Sequence, residues 1–263
     1  MRVALGVQYD GSGFSGWQTQ KHGVRTVQQT LEKSLSKVAN EPINLKCSGR
    51  TDTGVHGVCQ VVHFDSDAPR DAKAWVMGGN RFLDMDVSVK WAMPVSEDFH
   101  ARFSALRRRY RYVIINTPTR AAIFRKHLSW CYRPLDEVLM QGAANYLLGE
   151  HNFDAYRAAG CQAKSPVRTI ELVEVKRHGN IITIDIQANA FLQHMVRNIA
   201  GVLMKIGAGD RPAAWAQEVL LSQDRCQGAM TGSPYGLYFV GAGYPEHFGI
   251  PAIALPEHAI PSL

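Results

Sequence analysis

Between Ile181 and Gln187 the chain alternates without a slip. Ile182, Ile184 and Ile186 fall on one side of an extended segment, and Thr183, Asp185 and Gln187 on the other. A period of two with β-branched residues on one face specifies a strand that buries that face. Thr169–Lys176 upstream also has strand character, and Gly179 lies between the two, which predicts a hairpin. A helix is predicted next, over Leu192–Ile206, with Leu192, Val196, Ile199, Leu203 and Ile206 as its buried stripe.

The remainder carries the same mixture. Val3, Leu5, Val7 and Tyr9 alternate as a half-buried strand, which runs into a Gly- and Ser-rich loop from Asp10 to Gly23. Thr26 and Gln29 form a capping box for a helix whose apolar face is Val27, Leu31, Leu35 and Val38. Further strands are predicted over Ile43–Gly49, Val58–Phe64, Val87–Met93, Arg109–Ile115 and Leu237–Gly241. Helices are predicted over Asp71–Phe82, Leu135–Leu148 (ended by Gly149) and Ala213–Leu221. With no long βαβ repeat, the class is α+β. At 263 residues the chain is near the length where one core stops growing and a second begins. The expected division is an N-terminal α+β domain over 1–105, a C-terminal one over 106–245 and an irregular, proline-rich tail over 246–263.

A formal charge of +6, from 29 Lys and Arg against 23 Asp and Glu, suits a polyanionic partner but is also common among soluble proteins. Five cysteines without a C-x-x-C pair argue against both a disulfide framework and a zinc site, and no H-E-x-x-H is present. They read as reduced thiols of a cytoplasmic protein. The N-terminus has no apolar leader, and no apolar run is long enough to span a bilayer.

Four segments carry candidate chemistry. Gly11-Ser12-Gly13-Phe14-Ser15-Gly16 matches a dinucleotide fingerprint, but the helix cap falls at Thr26, well past the motif. A flexible loop with exposed Phe14 and Trp17 is therefore expected. Gly49-Arg50-Thr51-Asp52-Thr53-Gly54-Val55-His56 sets a carboxylate in a glycine-flanked turn after a strand. Asp-x-Gly is a common turn in which Asp caps local amides. The density of Arg50, Thr51, Asp52 and His56 favours a catalytic loop instead, and both readings stand. Arg107-Arg108-Arg109-Tyr110-Arg111-Tyr112, with Phe99-His100-Ala101-Arg102-Phe103-Ser104 before it, joins cations to aromatics. On a strand, Arg108, Tyr110 and Tyr112 share one face, and Arg109 and Arg111 the other. This is the chemistry of RNA recognition by phosphate pairing and base stacking, against the plainer reading of a solvated edge strand. In Asn189–Gly201, read as a helix start, His194, Arg197 and Gly201 share a side distinct from the apolar stripe, and Arg197 there calls for an acidic partner.

Taken in order, these segments resemble the tRNA pseudouridine synthase A family. The matches are Tyr9-Asp10-Gly11, Phe14 and Gly16-Trp17-Gln18; Thr26-Val27-Gln28 with Leu31-Glu32; Gly49-Arg50-Thr51-Asp52 with Gly54-Val55-His56; Phe99–Ala105; Arg109-Tyr110-Arg111-Tyr112; and Asn189-Ala190-Phe191 through Met195-Val196-Arg197-Asn198. The resemblance implies the pseudouridine synthase fold: two α/β-sandwich-like halves with mostly antiparallel sheets, a basic cleft between them, and assembly as a homodimer. It implies cofactor-free, metal-free isomerisation of uridines 38, 39 and 40 of tRNA. Asp52 would be the catalytic aspartate (base or nucleophile), Tyr110 the aromatic under the target base and Arg197 the partner of Asp52. Arg50 would hold the flipped nucleotide and Leu237 line the uracil pocket, with Arg107, Arg108 and His56 also on the substrate. One departure is Asn80–Asp86, where relatives usually carry Leu-Pro. The alternative is a non-catalytic RNA-binding module, which explains the charge and Tyr110 but leaves Asp52 and Arg197 idle.

Overall fold

The structure is a computed structural model that describes residues 1–21 and 23–253. Its contacts divide the described residues into two units, one made of residues 1–107 with residues 238–253, the other of residues 108–237. The closing strand thus belongs with the first unit, although the linear division at 105 and 245 assigns it to the second. That strand is parallel to a first-unit strand, a pairing between segments far apart in sequence that no local pattern announces.

In the first unit β1 (Arg2–Tyr9) runs antiparallel between β3 (His56–Asp65) and β4 (Val87–Val95). A two-residue β2 (Lys46–Cys47) pairs with β3, and β10 (Leu237–Gly243) joins β3 in parallel through Tyr238 and Phe239. Helix α1 (Val27–Ala39) starts where the Thr26 hydroxyl accepts a hydrogen bond from the Gln29 amide, and α2 (Ala72–Phe82) where Asp71 caps Ala74. Both helices cover one sheet face. Val3, Leu5, Val7, Tyr9, Val62, Phe64, Val87 and Val89 meet Val27, Leu31, Leu35, Val38 and Trp75 in one core. The opposite face is not open to water, as a half-buried strand implies. Ala4 and Val61 lie under Phe99 and Ala101, with Trp91, Met93, Tyr244, Phe248 and Ile250 packed around them.

The second unit has the predicted hairpin at its centre. β8 (Val167–His178) turns at Gly179 into β9 (Ile181–Ala188), and Ile182, Ile184 and Ile186 are fully buried. β9 pairs on its other side with β5 (Arg107–Asn116). Two short strands flank this set, β6 (Ser129–Cys131) parallel to β5 and β7 (Gly149–Asn152) antiparallel to β8. Helices α3 (Glu137–Asn145), α4 (Met195–Gly207) and α5 (Trp215–Ser222) complete the unit. Within this unit β5 is paired along Arg108–Ile115 by β9 and, at Ile114–Asn116, also by β6. α4 begins at Met195 rather than Leu192, because His194 takes a left-handed backbone (φ 62°) and stops the helix there. The fold class is α+β with mostly antiparallel pairing, as expected. Within the expected tail, Glu246–Phe248 form a 3₁₀ turn, and residues 254–263 lie outside the described residues.

Candidate active site

The carboxylate of Asp52 is carried on the loop that leads from β2 into β3, and that loop is fixed mainly through its backbone. At its start the buried Gln60 side chain donates to Gly49 O and accepts from Gly49 N and the Ser48 hydroxyl. At Thr51 the side chain pairs with the buried Tyr9 hydroxyl at 2.9 Å, and the carbonyl accepts from Trp17 N at 3.0 Å. The turn closes where Val55 N donates to Asp52 O at 3.1 Å, and Gly54 N reaches Phe14 O at 3.4 Å. Asp52 itself is half-buried and Arg50 exposed.

These bonds explain the glycine loop. A Cβ on Gly11 would lie 1.9 Å from Val55 O, and one on Gly16 would lie 2.9 Å from Thr51 O. Gly16 also has φ +86°, a backbone that favours glycine. The two loops therefore meet main chain to main chain, which only residues without side chains allow. Phe14 and Trp17 were expected to be exposed; they are 3% and 2% exposed and belong to the first-unit core. The loop composition misled because burial here comes from folding back onto residues 51–55. Gly11–Gly13 form a 3₁₀ turn and the helix starts only at Val27, so no helix N-terminus faces the glycines as a dinucleotide site requires.

His56 is 2% exposed, stacks on Tyr238 at 4.7 Å and accepts a hydrogen bond from Gly11 N at Nδ1. A ring so enclosed ties the Asp52 loop to the glycine loop. The departure at Asn80–Asp86 also acquires a use. Asn80 caps both backbone groups of Val89, and Asp84 and Asp86 hold Arg25, whose guanidinium lies 4.0 Å from the centre of Phe14. That anchors the start of β4 to the glycine loop.

In the second unit Tyr110 is 8% exposed and meets Phe191 edge-on at 5.0 Å. Arg197 sits in the first turn of α4, half-buried, and its Nε donates to Gly232 O at 2.9 Å while Gly232 N donates back to Arg197 O. Leu237 is buried, Arg107 is exposed, and Arg108 is half-buried with a bond to Asn189 O. The neighbouring Arg109 and Arg111 point to the other face, where both bind the buried carboxylate of Asp185. The basic run therefore splits, with two of its four arginines committed to the fold.

The family model described as tRNA pseudouridine synthase matches residues 6–104 and 143–245, well over half the chain. The chain belongs to the tRNA pseudouridine synthase family. A protein of Alcanivorax borkumensis named tRNA pseudouridine synthase A is 57% identical over 250 residues, covering 95% of this chain and 94% of that one. Proteins of the same name from Nitrosococcus oceani and Pseudomonas aeruginosa are 55% and 53% identical, covering 97% and 100% of this chain and 98% and 92% of theirs. The first matched range of the family holds both loops around Asp52; the second holds Arg197 and Leu237. Arg107, Arg108 and Tyr110 fall between the two ranges. The supports Gln60, Tyr9 and Gly232 escaped the sequence reading. Tyr9 stands there only as a strand residue and in the first family motif, and Gln60 as a polar residue within the apolar run Val58–Phe64.

Proposed function

We propose that this chain converts uridine to pseudouridine at positions 38, 39 and 40 in the anticodon arm of tRNA, with Asp52 as the catalytic carboxylate and without a cofactor. The observation that carries this reading is a carboxylate on a loop locked by main-chain bonds, in a chain that belongs to this family. The reaction breaks the C1′–N1 bond, forms C1′–C5, releases the proton of C5 and places one on N1, so it is redox-neutral and transfers no group to a second molecule. One ionised carboxylate suffices, as a base at the ribose or as a nucleophile at C1′. The target base must leave its stack. In this reading Tyr110 supports it, Leu237 gives an apolar wall, Arg50 holds the flipped nucleotide, and Arg107 and Arg108 pair with phosphates. Arg197 is assigned as the guanidinium partner of Asp52, and His56 completes the set of substrate-binding residues.

Among the described residues no helix is long and apolar enough to cross a membrane. A homodimer acting in the cytoplasm completes the proposal, and sedimentation of the purified chain tests the dimer. The central experiment is tritium release from unmodified tRNA carrying 5-³H-uridine, since only isomerisation displaces hydrogen from C5. The wild type releases tritium, and Asp52→Asn, nearly isosteric but neither base nor nucleophile, releases none while still binding tRNA. Tritium release by Asp52→Asn at the wild-type single-turnover rate removes Asp52 from the chemistry. RNA binding without release by the wild type supports a non-catalytic module instead.

A further inference from the structure

The segment Phe99–Ser104 is not used by the reaction as described, yet its backbone is held with unusual completeness. The His100 amide donates to the Ser104 hydroxyl, and Ser104 N donates back to His100 O, both at 2.9 Å. Ala101 N donates to Nδ1 of the buried His63 at 3.1 Å, and Arg102 N and Phe103 N both donate to His100 Nδ1. Tyr244 donates its hydroxyl proton to Ala101 O at 2.6 Å. Phe99 anchors the turn in the core with no exposed surface, against Tyr244 and Phe248. Every amide from His100 to Ser104 is thereby satisfied, four of them by side chains.

At the tip of this fixed turn Phe103 is 76% exposed. A single exposed apolar residue is ordinary on a protein surface. A phenyl ring held out on a rigid turn is less so, because the order of the turn gives it nothing to pack into. His100 backs the ring at 4.3 Å and 33°, and the Arg102 guanidinium lies 5.6 Å from its centre. Burial pushes the Cys47 thiol up to about 11, and the side-chain charges opposing that rise are Arg50 and Arg102. Lys46 and Arg102 likewise act on His100, whose pKa burial lowers. Arg102, which stands at the ring, is thus felt at both Cys47 and His100.

We propose that Phe103 and Arg102 form an RNA contact beyond the reacting uridine, where an unpaired base of the tRNA stacks on the Phe103 ring and Arg102 pairs with a phosphate of the same strand. An aromatic face stacks on any base, and a guanidinium beside it neutralises the backbone, the combination used for single-stranded RNA. The inference rests on the proposed function for the identity of the RNA. A pre-fixed turn suits the task, since little ordering entropy is lost when the base arrives.

The test measures affinity of the intact chain for unmodified full-length tRNA across a salt series. Phe103→Ala weakens binding about 5- to 150-fold, the range for loss of one base–aromatic stack, and leaves the slope of log affinity against log salt unchanged. Phe103→Trp restores affinity, whereas Phe103→Leu, apolar but without a π face, does not. Arg102→Ala flattens the slope by about one phosphate contact. Thermal melts of all variants match the wild type, because the Phe103 ring supports no core. Wild-type affinity in both Phe103→Ala and Phe103→Leu overturns the proposal. So does a loss of affinity accompanied by a change in oligomeric state, which assigns this surface to a second copy of the chain. Wild-type tritium release, measured alongside, separates these outcomes from failure of the enzymatic reading.

Discussion

Asp185 offers the sharpest test of how the second unit is held together. Its side chain is 2% exposed, and Oδ2 accepts from Arg111 Nε at 3.0 Å and Nη2 at 2.7 Å. Oδ1 accepts from Arg109 Nη2 at 3.2 Å, and the two guanidinium groups are themselves about three-quarters buried. Replacing Asp185 by Asn keeps the shape but removes the only negative charge in these bonds, leaving two cations facing each other. Breaking a buried pair from one side typically costs roughly 3–5 kcal/mol, and the partial exposure of the arginines lowers that to about 2–4 kcal/mol here. For a chain of this size, about 2–4 °C per kcal/mol gives a drop in Tm of roughly 4–15 °C. Circular dichroism melts of the wild type and Asp185→Asn measure it. A triple variant with Arg109→Met, Arg111→Met and Asp185→Leu should recover most of the loss, since exchanging a whole buried ionic cluster for apolar residues is often neutral. Asp185→Asn melting within about 1 °C of the wild type would refute the reasoning. The effect also bears on the site. By drawing Arg109 and Arg111 to one face of β5, Asp185 leaves Tyr110 to the other.

Four further outcomes follow from the same structure. Gly11→Ala, which sets a Cβ against Val55 O, should lower the single-turnover rate of tritium release far more than a Gly→Ala change at the open Gly160, since the Asp52 loop must shift to accept it. Affinity for tRNA should fall steeply with salt, and Arg107→Glu with Arg108→Glu should flatten the log–log slope; an unchanged slope removes this stretch from the footprint. Tyr110→Phe should bind tRNA as the wild type does, because stacking needs only the ring, so a fall in turnover alone would assign the hydroxyl a proton-transfer role. Burial lowers the pKa of His63 from 6.5 to about 4, so the unfolded chain takes up the proton first. Stability should therefore decline as pH falls from about 6.5 towards 4, and His63→Asn, which retains an acceptor for Ala101 N, should flatten that decline in urea titrations.

The sequence carried the regular elements well and the packing of loops poorly. The alternation of Ile182, Ile184 and Ile186 and the caps at Thr26 and Asp71 are local signals, and each marks a real element. Strands β6 and β7 are too short for a period of two to register, and each exists only because a distant strand supplies its partners. Of the strand expected over Ile43–Gly49 only Lys46 and Cys47 pair, since the amides of Ile43 and Leu45 are taken by Ser36 and Glu32 of α1 and Ser48–Gly49 lead into the Asp52 loop. Phe14 and Trp17 show the same limit at the site: a Gly- and Ser-rich segment reads as solvent-facing until the loop it lies against is known. Asp52, Tyr110 and Arg197 are visible as chemistry, while Tyr9 is visible only as a strand residue within a family motif and Gln60 not as chemistry at all, although both fix the Asp52 loop.

The meeting of the glycine loop with the Asp52 loop has a consequence for engineering. Its hydrogen bonds run between peptide groups, so their donors and acceptors are the same whatever side chains stand at Ser12, Ser15 or Thr53. Those positions can be randomised to any residue but proline in a library without disturbing the Asp52 loop, whereas Gly11 and Gly16 cannot. Transplanting the carboxylate loop onto another sheet requires moving both loops as one cassette, with Gln60 and Tyr9 from the strands beneath. Grafted alone, the segment Gly49–His56 would keep its sequence and lose its shape.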